Sequence, residues 1–307
     1  MKRFCSFFII SIFSALLFGA PKSVKIGVLT GTSGYGCAHM IENKSNLSIK
    51  NLGFEVYNSS QAVIAKLLNG QLEIGFVTPL QAAKIFNKDK EMLVVLGTAQ
   101  ESNLAIITSD QDYSSIFSLK EKKILCTGQN EEAEILMKTL LKKNEIQSEL
   151  DFETPAPEIV SALISKNAEY ALLEEPYATW ALQKSPELRR AATISNLLEK
   201  AHPSMVMIAN ARFVRTNRET VNKIIEAYKK SWEWAERNPV QAGALAKKYK
   251  LTLNQKMAEK AVAKANYVWK DADITRKDIE NLIKLSKDAN PESFTGKVPS
   301  ESFYYQR

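Results

Sequence analysis

Two stretches of this chain, set about 97 residues apart, pass through the same order of segments. Lys25-Ile26-Gly27-Val28 corresponds to Lys123-Ile124-Leu125-Cys126. Phe54-Glu55-Val56 corresponds to Leu150-Asp151-Phe152, and Ile64-Ala65-Lys66-Leu67-Leu68 to Val160-Ser161-Ala162-Leu163-Ile164. Leu72-Glu73-Ile74-Gly75-Phe76-Val77 corresponds to Ala168-Glu169-Tyr170-Ala171-Leu172-Leu173. The run then breaks at Thr78-Pro79 in one copy and at Glu174-Glu175-Pro176 in the other. Identity between the copies is low, yet the spacing holds within two residues throughout. Such spacing points to a fold built from two similar halves.

Within each copy, short apolar runs alternate with segments of helical spacing. In the first copy, strands are expected at 24–29, 54–57 and 72–77, and helices at 61–68 and 80–86. Strands separated by helices pair in parallel, with the crossovers on the sheet faces. Strand-like runs at 93–97 and 103–109, and at 203–210, flank the second copy and read as a pair of connectors. Everything after Arg215 reads as helical, with helices over 216–237, 240–248, 254–268 and 275–288. In the first of these, Val221, Ile224, Ile225, Tyr228, Trp232 and Ala235 share one face, Asn217 and Glu219 mark the start, and Asn238-Pro239 ends it. The tail from Asn290 carries Pro291, Gly296 and Pro299 and reads as loop. The expected fold class is α/β: two lobes with mixed, mainly parallel sheets, joined by two hinge strands, and a helical C-terminal part. Residues 22–104 with 208–307 are expected to form lobe one, and 105–207 lobe two, with hinges near 100–108 and 203–210.

In open parallel sheets, ligands sit beyond the carboxyl ends of the strands. Two such sheets facing each other would line one cleft with the loops at those ends. From the first half these loops offer Thr30, Gly31, Thr32, Ser33, Tyr35, Ser59, Ser60, Thr78, Pro79 and Thr98. From the second half they offer Thr127, Asn130, Glu174, Glu175 and Tyr177. Hydroxyls, amides and glycine backbone bind a ligand by hydrogen bonds without reacting with it. The stretch Leu29-Thr30-Gly31-Thr32-Ser33-Gly34-Tyr35-Gly36 matches neither a dinucleotide fingerprint nor a P-loop, which ends in Gly-Lys-Ser/Thr. It still leads into a helix start, where backbone N–H groups suit an anionic group; a plain strand-to-helix turn needing glycine reads equally well. No arginine is evident in these loops.

Catalytic motifs are weak. Ser33 lacks the Gly-x-Ser-x-Gly elbow, because Tyr35 follows Gly34. The two histidines are His39 and His202; the Cys37-x-His39 pair has no further spaced ligands, so no metal and no cofactor is expected. His202 reads as a surface or hinge residue. Glu174 and Glu175 have the chemistry for acid–base work. Accepting from a ligand amine, or fixing the loop, is the simpler role. Cys37 and Cys126, in different halves, are expected to be separate free thiols.

Lys2-Arg3 followed by Phe4 to Ala20, a stretch without a charge, has the form of a secretory signal. The stretch is short for a bilayer span. Cys5 precedes the apolar run, so no lipid-attachment site is read there, and the expected location is a periplasm. The chain carries 41 Lys and Arg against 34 Asp and Glu, a net charge of +7 spread over mixed-charge helices. That dispersal argues against nucleic acid, which selects a concentrated basic stripe.

With these residues in place, the chain resembles the periplasmic substrate-binding proteins of ABC importers of the nitrate/sulfonate/taurine and thiamine-precursor type. The resemblance is carried by Lys25-Ile26-Gly27-Val28-Leu29 after the signal, by Leu68-Asn69-Gly70-Gln71-Leu72-Glu73-Ile74-Gly75 before Thr78-Pro79, and by Glu174-Glu175-Pro176-Tyr177-Ala178. Pro203-Ser204-Met205-Val206-Met207-Ile208 before a long helical tail fits as well. The likeness spans nearly all of 22–290; Glu73 stands where that family often has aspartate, and the cysteine cluster of the yeast-type pyrimidine-synthase relatives is absent. The resemblance implies a type II periplasmic binding fold that closes on a small-molecule ligand and docks to the permease subunits of an ABC transporter, with a monomer expected. The alternatives are an enzyme on the same fold, similar to chorismate dehydratases, and a ligand-sensing module.

Overall fold

The computed structural model describes residues 23–44, 49, 51–88, 92–127, 131–252 and 254–306. The expected signal, residues 1–20, lies outside the described residues. The first copy folds as β1 (Val24–Leu29), α1 (Thr32–Glu42), β2 (Leu52–Tyr57), α2 (Ser60–Leu68), β3 (Ile74–Val77) and α3 (Pro79–Lys88), followed by β4 (Leu93–Glu101). The second part follows as β5 (Ala105–Thr108), β6 (Lys123–Cys126), α4 (Glu131–Lys143), β7 (Glu149–Asp151), α5 (Ala156–Ile164), β8 (Tyr170–Leu173), α6 (Tyr177–Lys184), β9 (Arg189–Thr193) and α7 (Ile194–Leu197). The chain then returns through β10 (Pro203–Asn210), α8 (Ala211–Thr216), α9 (Arg218–Arg237), α10 (Pro239–Lys248), α11 (Gln255–Val262), β11 (Tyr267–Asp271) and α12 (Ala272–Ala289).

Two sheets result, in the orders β11-β4-β10-β3-β1-β2 and β7-β6-β8-β5-β9. In each, the first strand of the repeated unit lies between the second and third, parallel to both. Ile26 pairs with Phe54 and Ile74, and Ile124 pairs with Leu150 and Tyr170. These are the residues that the repeat aligns in sequence. In each sheet a strand from outside the unit then runs antiparallel against its third strand, β10 on β3 and β5 on β8. The fold is thus α/β and two-lobed.

Side-chain alternation along the strands assigns the cores. In the second sheet Ile106, Ile124, Cys126, Tyr170 and Leu172 join the core that also runs through the first sheet. Ala105, Ile107, Leu125, Ala171 and Leu173 face a smaller core with residues of α5 and α6. Cys37 and Cys126 are buried free thiols. No helix among the described residues is long and apolar enough to cross a membrane.

Two expectations need correction. The segment 203–210 is a strand within the first sheet, pairing with β3 and β4 over its length, not a connector between sheets. The chain crosses at 102–104 and returns through α7 and 198–202. Residues after Arg215 are not all helical: α11 stops at Val262, and β11 pairs with β4. Asn266 there has φ 54°, a left-handed conformation that turns the chain out of the helix into the aromatic, β-branched run Tyr267-Val268-Trp269. The tail is loop in large part, but it is anchored: Tyr305 donates its backbone N–H to the Val95 carbonyl at 2.8 Å, and Phe294 and Phe303 are buried.

Candidate ligand-binding cleft

The loops at the carboxyl ends of β1 and β8 meet. A Cβ on Gly31 would lie 3.7 Å from Cδ of Pro176. Gly31 has φ 98°, which only glycine adopts at low cost, and it ends β1 so that α1 starts at once. The other glycines of this stretch serve packing rather than an anion cradle. Gly34 faces the Leu251 side chain, and a Cβ on Gly36 would sit 3.1 Å from Tyr267 and 3.2 Å from Tyr228. These absences of a side chain let α1 pack deep against α9, α10 and α11.

The crossing segment ties the two loops together. Asn103 accepts the Glu175 backbone N–H at 3.0 Å. Its side-chain amide donates to the Ala265 carbonyl at 3.3 Å. Gln100 donates to the Thr32 hydroxyl at 2.8 Å, and Tyr267 donates to the Thr32 carbonyl at 2.6 Å. Glu175 is only 3% exposed. Its carboxylate accepts from the Thr179 backbone N–H at 3.1 Å and pairs with the Arg190 guanidinium from β9. Arg190 is therefore the arginine that the loops themselves do not supply. It is contributed by an antiparallel strand, outside the repeated unit.

Tyr35 projects from α1 to the same place. It is 1% exposed, and its hydroxyl completes no hydrogen bond, although Thr252 lies beside it. Burial pushes its pKa up to about 12, and Tyr177 and Glu175 of the second lobe add to the rise. From α4 comes Glu132, fully buried; desolvation holds its carboxyl well above the usual range, Glu174 raises it further, and Ser102 acts the other way. Tyr177 is likewise raised, first by burial and then by Glu174. Tyr35 of the first lobe thus lies near Glu175 and Tyr177 of the second, and Glu174 lies near both Tyr177 and Glu132.

Several expected site residues are occupied in building the loops. Ser59 caps α2 by accepting from Ala62 N–H at 3.2 Å, and Ser60 accepts from Thr78 N–H at 3.0 Å. Ser33 donates to the Leu29 carbonyl at 3.4 Å. Thr78 is half-buried and its carbonyl starts α3; Pro79 is buried in the first turn, and Thr30 is exposed. Thr127 is a buried residue whose hydroxyl donates to the Leu172 carbonyl at 3.1 Å. Thr98 is a correction: it is not a loop residue but lies within β4, fully buried, with its hydroxyl 2.9 Å from that of Thr275. Its strand runs on to Glu101, because β4 pairs with β10 and β11 along that length. Asn130 lies outside the described residues. Asn103, Gln100, Glu132, Arg190 and Ser102 belong to the candidate site, and sequence reasoning misses them. None sits in a motif, and only the fold brings them to the seam.

Two open grooves lie elsewhere. One of about 510 Å³ is lined by Leu68, Asn69, Glu73, Met92, Arg212 and Arg215 among others, at the amino end of β3. The other is lined by Lys25, Glu55, Lys66 and Glu73. Both lie toward the amino ends of β1 and β3, away from the seam. Among the described residues no three His, Cys, Asp or Glu side chains gather as a metal set.

Two lobes built on mixed sheets, crossed by the chain beside a seam of facing loops, have the two-lobed fold of the periplasmic type II class. The model of the NMT1/THI5-like family matches residues 51–242, and the chain belongs to that family. Among solved structures, an ABC transporter protein from Parabacteroides distasonis is 18% identical, with a TM-score of 0.81, covering 94% of this chain and 100% of that one. The periplasmic aliphatic sulphonate binding protein SsuA from Escherichia coli is 13% identical, with a TM-score of 0.73, covering 94% of this chain and 93% of that one. A mutant of DszB in complex with biphenyl-2-sulfinic acid is 12% identical, with a TM-score of 0.64, covering 92% of this chain and 96% of that one. No curated protein matches the chain.

Proposed function

We propose that the protein is an extracytoplasmic solute-binding protein. It captures a small organic solute between its lobes, leaves it chemically unaltered and delivers it to the permease subunits of an ABC transporter. The observation that carries the reading is the seam: Tyr35 and Asn103 on one side meet Glu175 and Tyr177 on the other, all at strand carboxyl ends or the crossing segment. Such a seam suits hinge closure on a ligand. Membership of the NMT1/THI5-like family and the sulphonate-binding neighbour support it. The charged start and apolar run of residues 2–20 support export to a periplasm. The lobes we assign are 22–104 with the C-terminal part, and 105 to about 202, since β10 belongs to the first sheet. The protein acts as a monomer and does not bind nucleic acid.

Native mass spectrometry of protein purified from its own cells tests the reading. A small molecule should be retained, released intact on unfolding and recovered unchanged after long incubation. Conversion of that molecule to a product would overturn it in favour of an enzyme.

A further inference from the structure

Solute capture by hinge closure needs something that sets how readily the lobes part, and this inference rests on the reading of the protein as a solute binder. Residues 100–102 are held to the first lobe by one turn, Ala265-Asn266, between α11 and β11. The Gln100 side-chain amide donates to the Ala265 carbonyl at 2.5 Å, and the Glu101 backbone N–H donates to the Asn266 carbonyl at 3.0 Å. The Asn266 side chain donates to the Ser102 carbonyl at 2.7 Å. Asn266 can reach back this way because it adopts the left-handed conformation, which asparagine tolerates better than most residues. On its other side Ser102 donates its backbone N–H to the His202 carbonyl of the return crossing at 2.8 Å. Held from both sides, this stretch moves with the first lobe.

Asn103 comes next, and its side-chain amide is divided between the lobes. The oxygen accepts the Glu175 backbone N–H of the second lobe at 3.0 Å, and the nitrogen donates to the Ala265 carbonyl of the first at 3.3 Å. The chemistry of the partners fixes that orientation, because an NH2 group cannot face another N–H donor. Asn103 is 7% exposed and Glu175 3%. The hydrogen bonds of Lys142 to Asp288 and of Gln183 to Lys256 also reach across, but both are exposed to solvent, where water competes for the same groups. A buried N–H without an acceptor costs far more, since no water replaces the lost partner.

We propose that Asn103 is the latch of the hinge. When the lobes part, the bond from the Glu175 N–H breaks and water takes the place of the Asn103 oxygen, while the nitrogen end stays on Ala265. When they close, the bond re-forms and brings the Glu175 loop back to one position. Asn103 is thus a positioning residue: it acts on the candidate site through the backbone of Glu175. The other bonds of that loop travel with the second lobe. The Ala178 N–H donates to the Glu174 carbonyl at 3.0 Å, and the Thr179 N–H to the Glu175 carboxylate at 3.1 Å. Opening of the latch leaves both intact, whereas melting of the loop releases them together with Glu175.

Residue-resolved hydrogen exchange and solution scattering on the dialysed protein test this. Asn103→Leu leaves the Glu175 N–H without an acceptor in the closed state alone. It should speed exchange at Glu175 by about tenfold or more, the size expected for orphaning one buried donor. Exchange at Ala178 and Thr179 should stay as it is, and the radius of gyration should rise. Asn103→Ala should give the same pattern and keeps the test open if Asn103→Leu fails to fold. Unchanged exchange at Glu175 in a folded variant would overturn the latch. So would exchange that rises equally at Glu175, Ala178 and Thr179, which marks a scaffold role, or a freed Glu175 N–H without expansion. Retention of a small molecule is a separate measurement by mass spectrometry, so failure of the latch and failure of solute capture are told apart.

Discussion

Glu175 and Arg190 show how a single ion pair can fix a loop of the candidate site. The Glu175 side chain is fully buried and Arg190 largely so, which makes the ion pair sensitive to loss of one partner. Removing the guanidinium leaves a buried carboxylate uncompensated, at a cost of about 3–5 kcal/mol. Arg190→Met should therefore lower the urea midpoint sharply. Adding Glu175→Gln to it should restore much of the loss, and an additive double-mutant cycle would contradict the pairing. His202 makes a pH prediction. It is 3% exposed in the return crossing, where its carbonyl accepts from Ser102 N–H at 2.8 Å, so it is a buried hinge-side residue and not a surface one. Burial lowers its pKa from 6.5 to about 4. Protonation therefore favours the unfolded chain. Its contribution is whole above about pH 6.5 and is lost as pH falls toward 4, by up to about 3 kcal/mol. His202→Gln should flatten that part of a stability-against-pH curve; an unchanged curve would show that the histidine is not held neutral.

At the scale of elements, α1 is the helix that positions the seam, and it is buried almost all round. Glycine within a helix costs about 1 kcal/mol each relative to alanine. Here the cost is offset by close approach to Leu251, Tyr228 and Tyr267. A larger side chain at Gly34 would meet Leu251, and its Cβ would lie only 3.2 Å from the Leu29 carbonyl oxygen. Gly34→Val should destabilise the fold by about 1–3 kcal/mol in thermal unfolding and displace Tyr35, weakening ligand binding as well. The strand β11, which the sequence disguises as helix, teaches a related lesson. Aromatic and β-branched residues at 267–269 fit a helix face or an edge strand equally well over so short a run. Pairing with β4, and the left-handed turn at Asn266, settle the choice. Likewise β9 is hidden in the sequence because Arg189-Arg190-Ala191-Ala192-Thr193 shows no apolar alternation.

For the whole molecule, the proposed function turns on the relation of the lobes. Besides the seam, Lys142 of α4 donates to the Asp288 carbonyl of α12 at 3.0 Å, and Gln183 of α6 donates to the Lys256 carbonyl of α11 at 3.4 Å. A solute that binds both lobes stabilises the folded state in proportion to its occupancy. At a hundred times its Kd the gain is about 2.7 kcal/mol. Saturating ligand should accordingly raise the melting temperature by several degrees and reduce the radius of gyration in solution scattering. Stabilisation without compaction would mean that the lobes do not close on the solute.

The doubled unit, the order of strands within it, and the loops that lie at strand carboxyl ends were legible in the amino-acid sequence, whereas β9 and β11 were not. Each legible feature is recorded locally: apolar period distinguishes strand from helix, and Ile26, Phe54 and Ile74 meet in the register that their counterparts Ile124, Leu150 and Tyr170 repeat. The composition of the seam was only half legible. Tyr35, Glu174, Glu175 and Tyr177 stand beside readable turns, whereas Asn103, Glu132 and Arg190 come from three separate elements with no shared motif. Which hydroxyls are spent on the scaffold, as at Thr98 and Thr127, was decided by partners 177 and 45 residues away. Burial and charge at a point in space are sums over all elements that converge there, and such sums exist only once the chain has folded.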